Sequence, residues 1–245
     1  MTLPQLAVPE FFTTLPICKK KIKYRPFLVK EEKVLLIAIK EETEDALFNA
    51  VKQIAKNCTF NEVDIETLSN IDLEYLFLQI RIKSKSNMVD IVYQCTNKIK
   101  NEEGDLIQCD TVGTISYNLD EIQLVTNENH SDKIMLTDVV GIKMKYGSLE
   151  NAKKLYKAVE EENIEEIYAN MKDYIDCIFD DEKTYDDFTT EEWIEFFDGM
   201  TSENHAKIKE FFNTQPVLQG KIKTKCPTCK NEDELIIQGL QNFLE

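Results

Sequence analysis

Lys225-Cys226-Pro227-Thr228-Cys229-Lys230 lies near the carboxyl end of the chain, between two strand-like runs, Val217–Lys225 and Glu234–Gln238. A Cys-x2-Cys in the turn of a hairpin is half of a zinc site, and half a site needs its complement. Five further cysteines are present: Cys18, Cys58, Cys95, Cys109 and Cys177. Cys95 and Cys109 stand out, because the alternating run Met88–Gln94 enters the first and Val112–Tyr117 leaves the second. Thirteen mostly polar residues containing Gly104 separate them, which places both at the base of a long hairpin loop. Two such pairs supply the four tetrahedral thiolates that Zn²⁺ takes at about 2.3 Å. The chain between Cys109 and Cys226 is then a 116-residue excursion tied off by one ion. Closing it costs on the order of 4 kcal/mol from the logarithmic loop term, against roughly 10–16 kcal/mol for a structural zinc site.

Two other readings of these cysteines stand beside the zinc site. Cys95 and Cys109 can be buried small hydrophobes with Cys226 and Cys229 incidental, or the thiols can be oxidised. Seven is an odd number, and Met1–Pro9 has neither a charged n-region nor an apolar h-region, so a reduced chain without a secretory signal is expected. A redox Cys-x2-Cys would sit beside a βαβ pattern, and none surrounds this one. Four thiolates leave no coordination position open, so the centre is expected to be structural.

The composition permits a substantial core: 245 residues, 42% of them hydrophobic. No run of 18 apolar residues occurs, so no membrane span is expected. A net charge of −16 argues against general affinity for nucleic acid or membranes. The charge is uneven. Residues 157–195 hold fifteen carboxylates against three lysines, whereas residues 18–33 hold seven cations against two glutamates. Such asymmetry marks either a partner-facing surface or a solvated face.

Pattern along the chain predicts an α+β fold. Pro4, Pro9 and Pro16 predict an extended arm over residues 1–17, lying on a partner or on the core edge. A strand over Lys21–Leu28, stopped by Pro26, precedes helices over Lys30–Lys40, Thr43–Asn57 and Leu73–Lys83, the last capped by Asp72. Short alternating runs then predict a small antiparallel β region over Met88–Gln94, Val112–Tyr117, Glu121–Val125, Lys133–Leu136 and Ile142–Tyr146. Helical spacing returns after Ser148 and predicts one long helix over Leu149–Phe179, with Asp180–Asp187 breaking it. Thr189 and Glu192 form a capping box for a helix whose apolar face is Trp193, Phe196 and Phe197. Ser202–Phe212 predicts another helix, and the final hairpin carries Cys226 and Cys229. The divisions are 1–87, 88–147, 148–215 and 216–245, expected to form one compact unit.

No catalytic constellation is visible. His130 lies in a polar turn and His205 on an exposed-looking helix, neither in a nucleophile motif. None of the seven glycines belongs to a phosphate loop. An enzyme is therefore the last reading. A zinc-ribbon accessory factor of transcription or replication is the alternative, weakened because only residues 18–33 offer a basic face for DNA.

The segment Lys23-Tyr-Arg-Pro-Phe-Leu-Val-Lys-Glu-Glu-Lys-Val-Leu-Leu-Ile-Ala38 resembles the amino-terminal signature of the baseplate hub subunit, or hub assembly protein, family of T4-type contractile-tailed phages. Similarity continues at Asp72-Leu-Glu-Tyr-Leu-Phe-Leu-Gln-Ile-Arg-Ile-Lys-Ser84, at Ile134-Met-Leu-Thr-Asp-Val-Val-Gly-Ile-Lys-Met-Lys145 and at Gly239-Leu-Gln-Asn-Phe243. The resemblance implies a late, non-enzymatic viral protein that builds the central hub of the tail baseplate in the infected host cytoplasm, as hub component or as chaperone for hub or tape-measure proteins. It also implies a place in the virion if the protein is retained. The only two arginines, Arg25 and Arg81, fall inside these blocks, where a planar guanidinium serves either a buried ion pair or a partner. Candidate partner-contact residues are Arg25, Phe27, Trp193 and the acidic Glu161, Glu162, Glu165 and Glu166. Cys95, Cys109, Cys226 and Cys229 are the candidate zinc ligands.

Overall fold

A computed structural model describes residues 6–41, 43–101 and 104–239, as a mixture of helices and antiparallel sheets. Strands β1 (Phe11–Thr14) and β2 (Lys21–Tyr24) form a hairpin, followed by helices α1 (Val29–Glu41), α2 (Glu44–Cys58) and α3 (Asn70–Ser84). The extended arm predicted for residues 1–17 is thus partly a strand. Pro9 and Pro16 flank β1, where a missing N–H breaks no ladder, and Leu15 is fully buried. Leu3, the first apolar residue of that arm, lies outside the described residues, as do residues 240–243 of the last block of resemblance.

The cap predicted at Asp72 is also corrected. Ser69 Oγ accepts the Asp72 N–H at 3.1 Å and is the N-cap of α3. Asp72 sits inside the first turn, buried, and its two carboxylate oxygens accept the backbone N–H of Ile17 (2.7 Å) and Cys18 (3.0 Å). One carboxylate therefore satisfies orphan donors in the β1–β2 turn and suits the positive end of the helix dipole. Leu15, Tyr24, Val51, Ile54, Leu76 and Phe77 fill this first core.

The next seven strands are β3 (Met88–Gln94), β4 (Lys98–Lys100), β5 (Leu106–Gln108), β6 (Val112–Asn118), β7 (Gln123–Val125), β8 (Lys133–Met135) and β9 (Gly141–Met144). They do not make one sheet. β3 pairs with β6, and a smaller β4–β5 hairpin stands in their connecting loop. β7 and the β8–β9 pair leave for two different sheets further along the chain. The alternation gives each strand its two faces but does not choose its partner.

Helix α4 (Leu149–Glu160) begins at the N-cap Ser148, yet it stops after three turns. Glu162 takes a φ of +53°, Asn163 caps α5 (Ile164–Met171), and Ile175–Phe179 is strand β10, paired with β9. The long helix predicted over Leu149–Phe179 is therefore two helices, a single 3₁₀ turn over Lys172–Tyr174 and a strand. Two causes misled the pattern. Glu160-Glu161-Glu162 concentrates like charge where continuation would stack it at i, i+4. A register shift between Ile175 and Cys177 buries Ile175 and Ile178 together, so a bulged strand mimics the spacing of a helix. Strand β11 (Thr184–Tyr185) completes the sheet β11-β10-β9-β8. Helices α6 (Thr190–Asp198), with its Thr189/Glu192 capping box, and α7 (Ser202–Thr214) cover this sheet around Trp193, Phe197, Ile208 and Phe211.

Strands β12 (Val217–Lys225) and β13 (Glu232–Gln238) return as a hairpin, and β7 adds to the free edge of β12. Leu218, Gly220, Ile222, Thr224 and Cys226 alternate inward. Of these, Leu218 and Ile222, with Ile237, meet Val89 and Tyr117 of the β3–β6 hairpin and Leu78 and Ile82 of α3 in a further core.

His130 is half-buried, not a surface residue: Nδ1 lies 2.9 Å from Thr214 Oγ1 and Nε2 lies 2.8 Å from Tyr146 Oη. The Thr214 hydroxyl donates to the Glu210 carbonyl, so its oxygen accepts from Nδ1–H, and Nε2 accepts from Tyr146. His205 is likewise half-buried, edge-on to Tyr168 and Phe197.

Two expectations follow. A Cβ on Gly220 would lie 2.5 Å from Tyr117 Oη and 2.8 Å from Ile237 Cγ1. Gly220→Ala should lower stability by about 1–3 kcal/mol in urea unfolding, and an unchanged midpoint would mean that the sheets are not packed this way. Burial holds the His130 imidazolium below the usual histidine range, against a smaller opposing pull from Asp132. The neutral ring is thus favoured in the fold. Its contribution is complete above the unfolded pKa of about 6.5 and is lost as pH falls through the lower folded value. Wild type should lose more stability between about pH 7.5 and about pH 5.5, one unit either side of that reference, than His130→Gln does.

Candidate metal centre

The β3–β6 and β12–β13 hairpins end side by side, and each brings two cysteines to its end. Cys95 follows β3, Cys109 precedes β6, and Cys226 and Cys229 occupy the β12–β13 turn. Backbone pairing fixes three of them. Cys95 N–H donates to Thr111 O at 2.9 Å, Cys109 N–H to Asn97 O at 2.8 Å, and Cys226 N–H to Asn231 O at 2.9 Å. In each turn the residue after the second cysteine has positive φ, +50° at Asp110 and +62° at Lys230. These two residues turn the chain back into β6 and β13.

The four Sγ atoms all lie within 4.8 Å of one another. Cys95 Sγ is 3.7 Å from Cys229 Sγ, and Cys109 Sγ is 3.8 Å from Cys226 Sγ. A regular tetrahedron of metal–sulfur bonds near 2.3 Å has S···S edges of about 3.8 Å, so the cluster has the dimensions of a four-thiolate site. The same distances exclude disulfides, whose sulfurs stand about 2.05 Å apart. Cys18, Cys58 and Cys177 are free and outside the cluster.

Donors surround the sulfurs. The Cys229 N–H approaches Cys226 Sγ at 3.5 Å, Asn97 Nδ2 approaches Cys229 Sγ at 3.6 Å, and Thr111 Oγ1 lies 3.2 Å from Cys109 Sγ. Burial disfavours the Cys226 thiolate, but N–H groups of Cys229 and Thr228 outweigh it and bring the thiol down to about 6. At Cys95 the Asn97 N–H favours the anion, yet burial and the three adjacent sulfurs win and push it up to about 12. Four sulfurs this close cannot all ionise by themselves; a divalent cation would supply the missing charge and release the remaining protons. Because all four ligands come from the protein, the chemistry available is structural cross-linking, with no position left for a substrate.

Sequence reasoning missed three supporting residues. Asn97 and Thr111 belong to turns without a recognisable spacing. Tyr93 lies across Gly113, where a Cβ would come within 2.7 Å of its ring, and its hydroxyl reaches the Lys225 carbonyl at 3.2 Å. A glycine opposite an aromatic in paired strands is the one available signal for that contact.

The remaining candidates separate by burial. Arg25 forks onto Glu31 at 3.1 and 3.4 Å, and Glu31 is 1% exposed. This is the buried ion pair, so the guanidinium itself does not face outward. Phe27 is buried, with its N–H on Ser84 Oγ. Trp193 is fully buried, its Nε1–H donating to the Tyr168 carbonyl at 2.8 Å. Arg81 is buried as well and donates to the Ser86 carbonyl at 2.8 Å. A partner would meet the surface these residues support, not their side chains. Glu161, Glu162, Glu165 and Glu166 are all exposed. Glu165 and Glu166 occupy the first turn of α5, where carboxylates suit the helix dipole.

Among the described residues, no helix is long and apolar enough to cross a membrane. No curated protein and no solved structure matches the chain. A family model described as T4 bacteriophage base plate protein matches residues 8–245, nearly the whole length. The chain belongs to that T4 bacteriophage baseplate family.

Proposed function

We propose that the chain is a non-enzymatic protein of the baseplate's central hub, acting in its assembly with other hub or tape-measure proteins in the infected host cytoplasm. The observation that carries this reading is the baseplate family match over residues 8–245. The hub in particular is supported by the resemblance at Lys23–Ala38, whose Phe27 belongs to the first core and whose Arg25–Glu31 ion pair is buried. The four-sulfur cluster is a structural zinc site that clamps the two hairpins. The exposed carboxylates around the α4–α5 turn form a surface for a basic partner.

Purified protein should contain about one zinc per chain by elemental analysis, as a closed four-thiolate site requires. Cys226→Ser/Cys229→Ser should lose the metal and much of the β structure, since total stability is only about 5–15 kcal/mol. Metal-free wild type, or equal zinc in the variant, would sink the site. Replacing Glu161 and Glu162 by Lys, with Glu165→Gln and Glu166→Gln, should preserve folding and weaken capture of hub proteins from infected cells. Capture by wild type should fall with added salt through screening. Capture that ignores both the substitutions and the salt would reduce this face to a solvated one.

A further inference from the structure

Helix α1 buries Glu31, Leu35 and Ala38 and leaves its opposite side bare. Val29, Leu36 and Ile37 are 67%, 54% and 60% exposed, and they fall on one face with the exposed Lys33 and Lys40. Neither lysine has an ion pair among the described residues. The result is an apolar stripe with positive charge along it, about 20 Å long at 1.5 Å per residue.

The α4–α5 turn has the opposite character. Tyr156, Val159 and Ile164 are 52%, 52% and 62% exposed, and Glu160, Glu161 and Glu162 stand among them. Among the described residues, Lys157 pairs with Glu161 here, at 3.8 Å. Each face thus carries apolar groups that a monomer gains nothing by exposing, with unpaired charge of one sign. Within the chain no ion pair joins the two among the described residues. α1 packs on α2 in the first core; α4 packs on α5 and also on α3, with Lys153 2.8 Å from Asp45 of α2, and α5 packs on α6.

We infer that the α1 face docks onto the α4–α5 face of a second copy of this chain, head to tail. Apolar groups match apolar groups, and lysines meet glutamates, so one sequence holds both halves of the contact. This rests on reading the acidic turn as a docking surface, and it names one occupant. Because the two patches differ, the contact is heterologous, and its repetition closes a ring or extends a filament. The net charge of −16 opposes association at long range, but screening confines that repulsion to about 8 Å at physiological salt. One helix face is smaller than a standard interface of about 1,600 Å², so a single contact is weak and a closed ring gains from multivalency.

The test is sedimentation of the full-length chain alone, over about 1 µM to about 1 mM, the range of weak contacts. The wild-type average mass should rise with concentration. Lys33→Glu/Lys40→Glu and, separately, Glu160→Lys/Glu161→Lys/Glu162→Lys should each remain monomeric. The second set places cations at the end of α4, which favours the helix. Mixing the two variants should restore association, because each keeps the face that the other has lost. Leu36→Ser/Ile37→Ser should weaken self-association without a change in charge, which covers the case of a charge variant that misfolds. A wild type monomeric throughout, variants that associate as wild type does, or a mixture that stays monomeric overturns the inference. Hub-protein capture is read separately: loss of self-association with capture intact refutes only this contact, and the reverse refutes only the hub surface.

Discussion

Helix α3 has to be covered on two sides. Its buried residues include Leu73, Leu76, Phe77 and Ile80 toward the first core and Leu78 and Ile82 toward the β layers. A helix apolar around most of its circumference is stable only inside. The preceding hairpin and helices cover one side, and the Asp72 carboxylate secures the hairpin turn. The other side needs strands that are not consecutive in the chain: β3 and β6, then β12 and β13 after nearly a hundred residues. The carboxyl-terminal hairpin must therefore return to α3, and most of the chain between Leu136 and Phe212 builds its own aromatic core, while Leu149 at the start of α4 joins the first core.

The cysteine cluster lies where that second layer runs out of apolar material. Inward positions on β12 proceed from Leu218 through Ile222 to Thr224 and then Cys226. Thr224 is buried but offers a hydroxyl, which donates to Asp233 O. Past it, Tyr93 of β3 reaches the Lys225 carbonyl and Asn97 approaches Cys229 Sγ. A two-stranded hairpin is marginal by itself. β3–β6 is anchored by α3 at one end and by the four cysteines at the other. A metal there would take the part that leucines take nearer the helix.

Much of this was legible in the chain. Strands β3 and β12, the capping box at Thr189 and the cysteine quartet follow from local rules: period, cap chemistry and ligand spacing. What escaped was non-local. Sheet partners for β7, β8 and β9 depend on strands up to a hundred residues away. The bulge in β10 imitates a helix because a register shift changes the apparent period from two to three. Asp72 looked like a cap because it precedes an apolar run, whereas Ser69 has the geometry and Asp72 has a tertiary task. His130 sat in a polar turn, and only the fold brought Thr214 and Tyr146 to its two nitrogens.

The acidic surface separates in the same way into charges with a local task and charges without one. Glu192 closes a capping box, Asp180 accepts the N–H groups of Glu182 and Lys183, and Glu165 and Glu166 lie at the start of α5. These carboxylates stabilise the structure that carries them. Glu160 and Glu162 do not: Glu160 ends α4 and Glu162 lies two residues beyond it, both exposed, beside Val159 and Ile164, which are exposed too. Repulsion along such a run opposes the local fold by a few tenths of a kcal/mol per pair, and exposed apolar groups add nothing to the monomer. The dense core around Trp193 and Phe197 holds the region together regardless. A fold with that reserve can carry an unfavourable surface, and a surface both charged and apolar is stabilised only by something outside the chain that is apolar and oppositely charged.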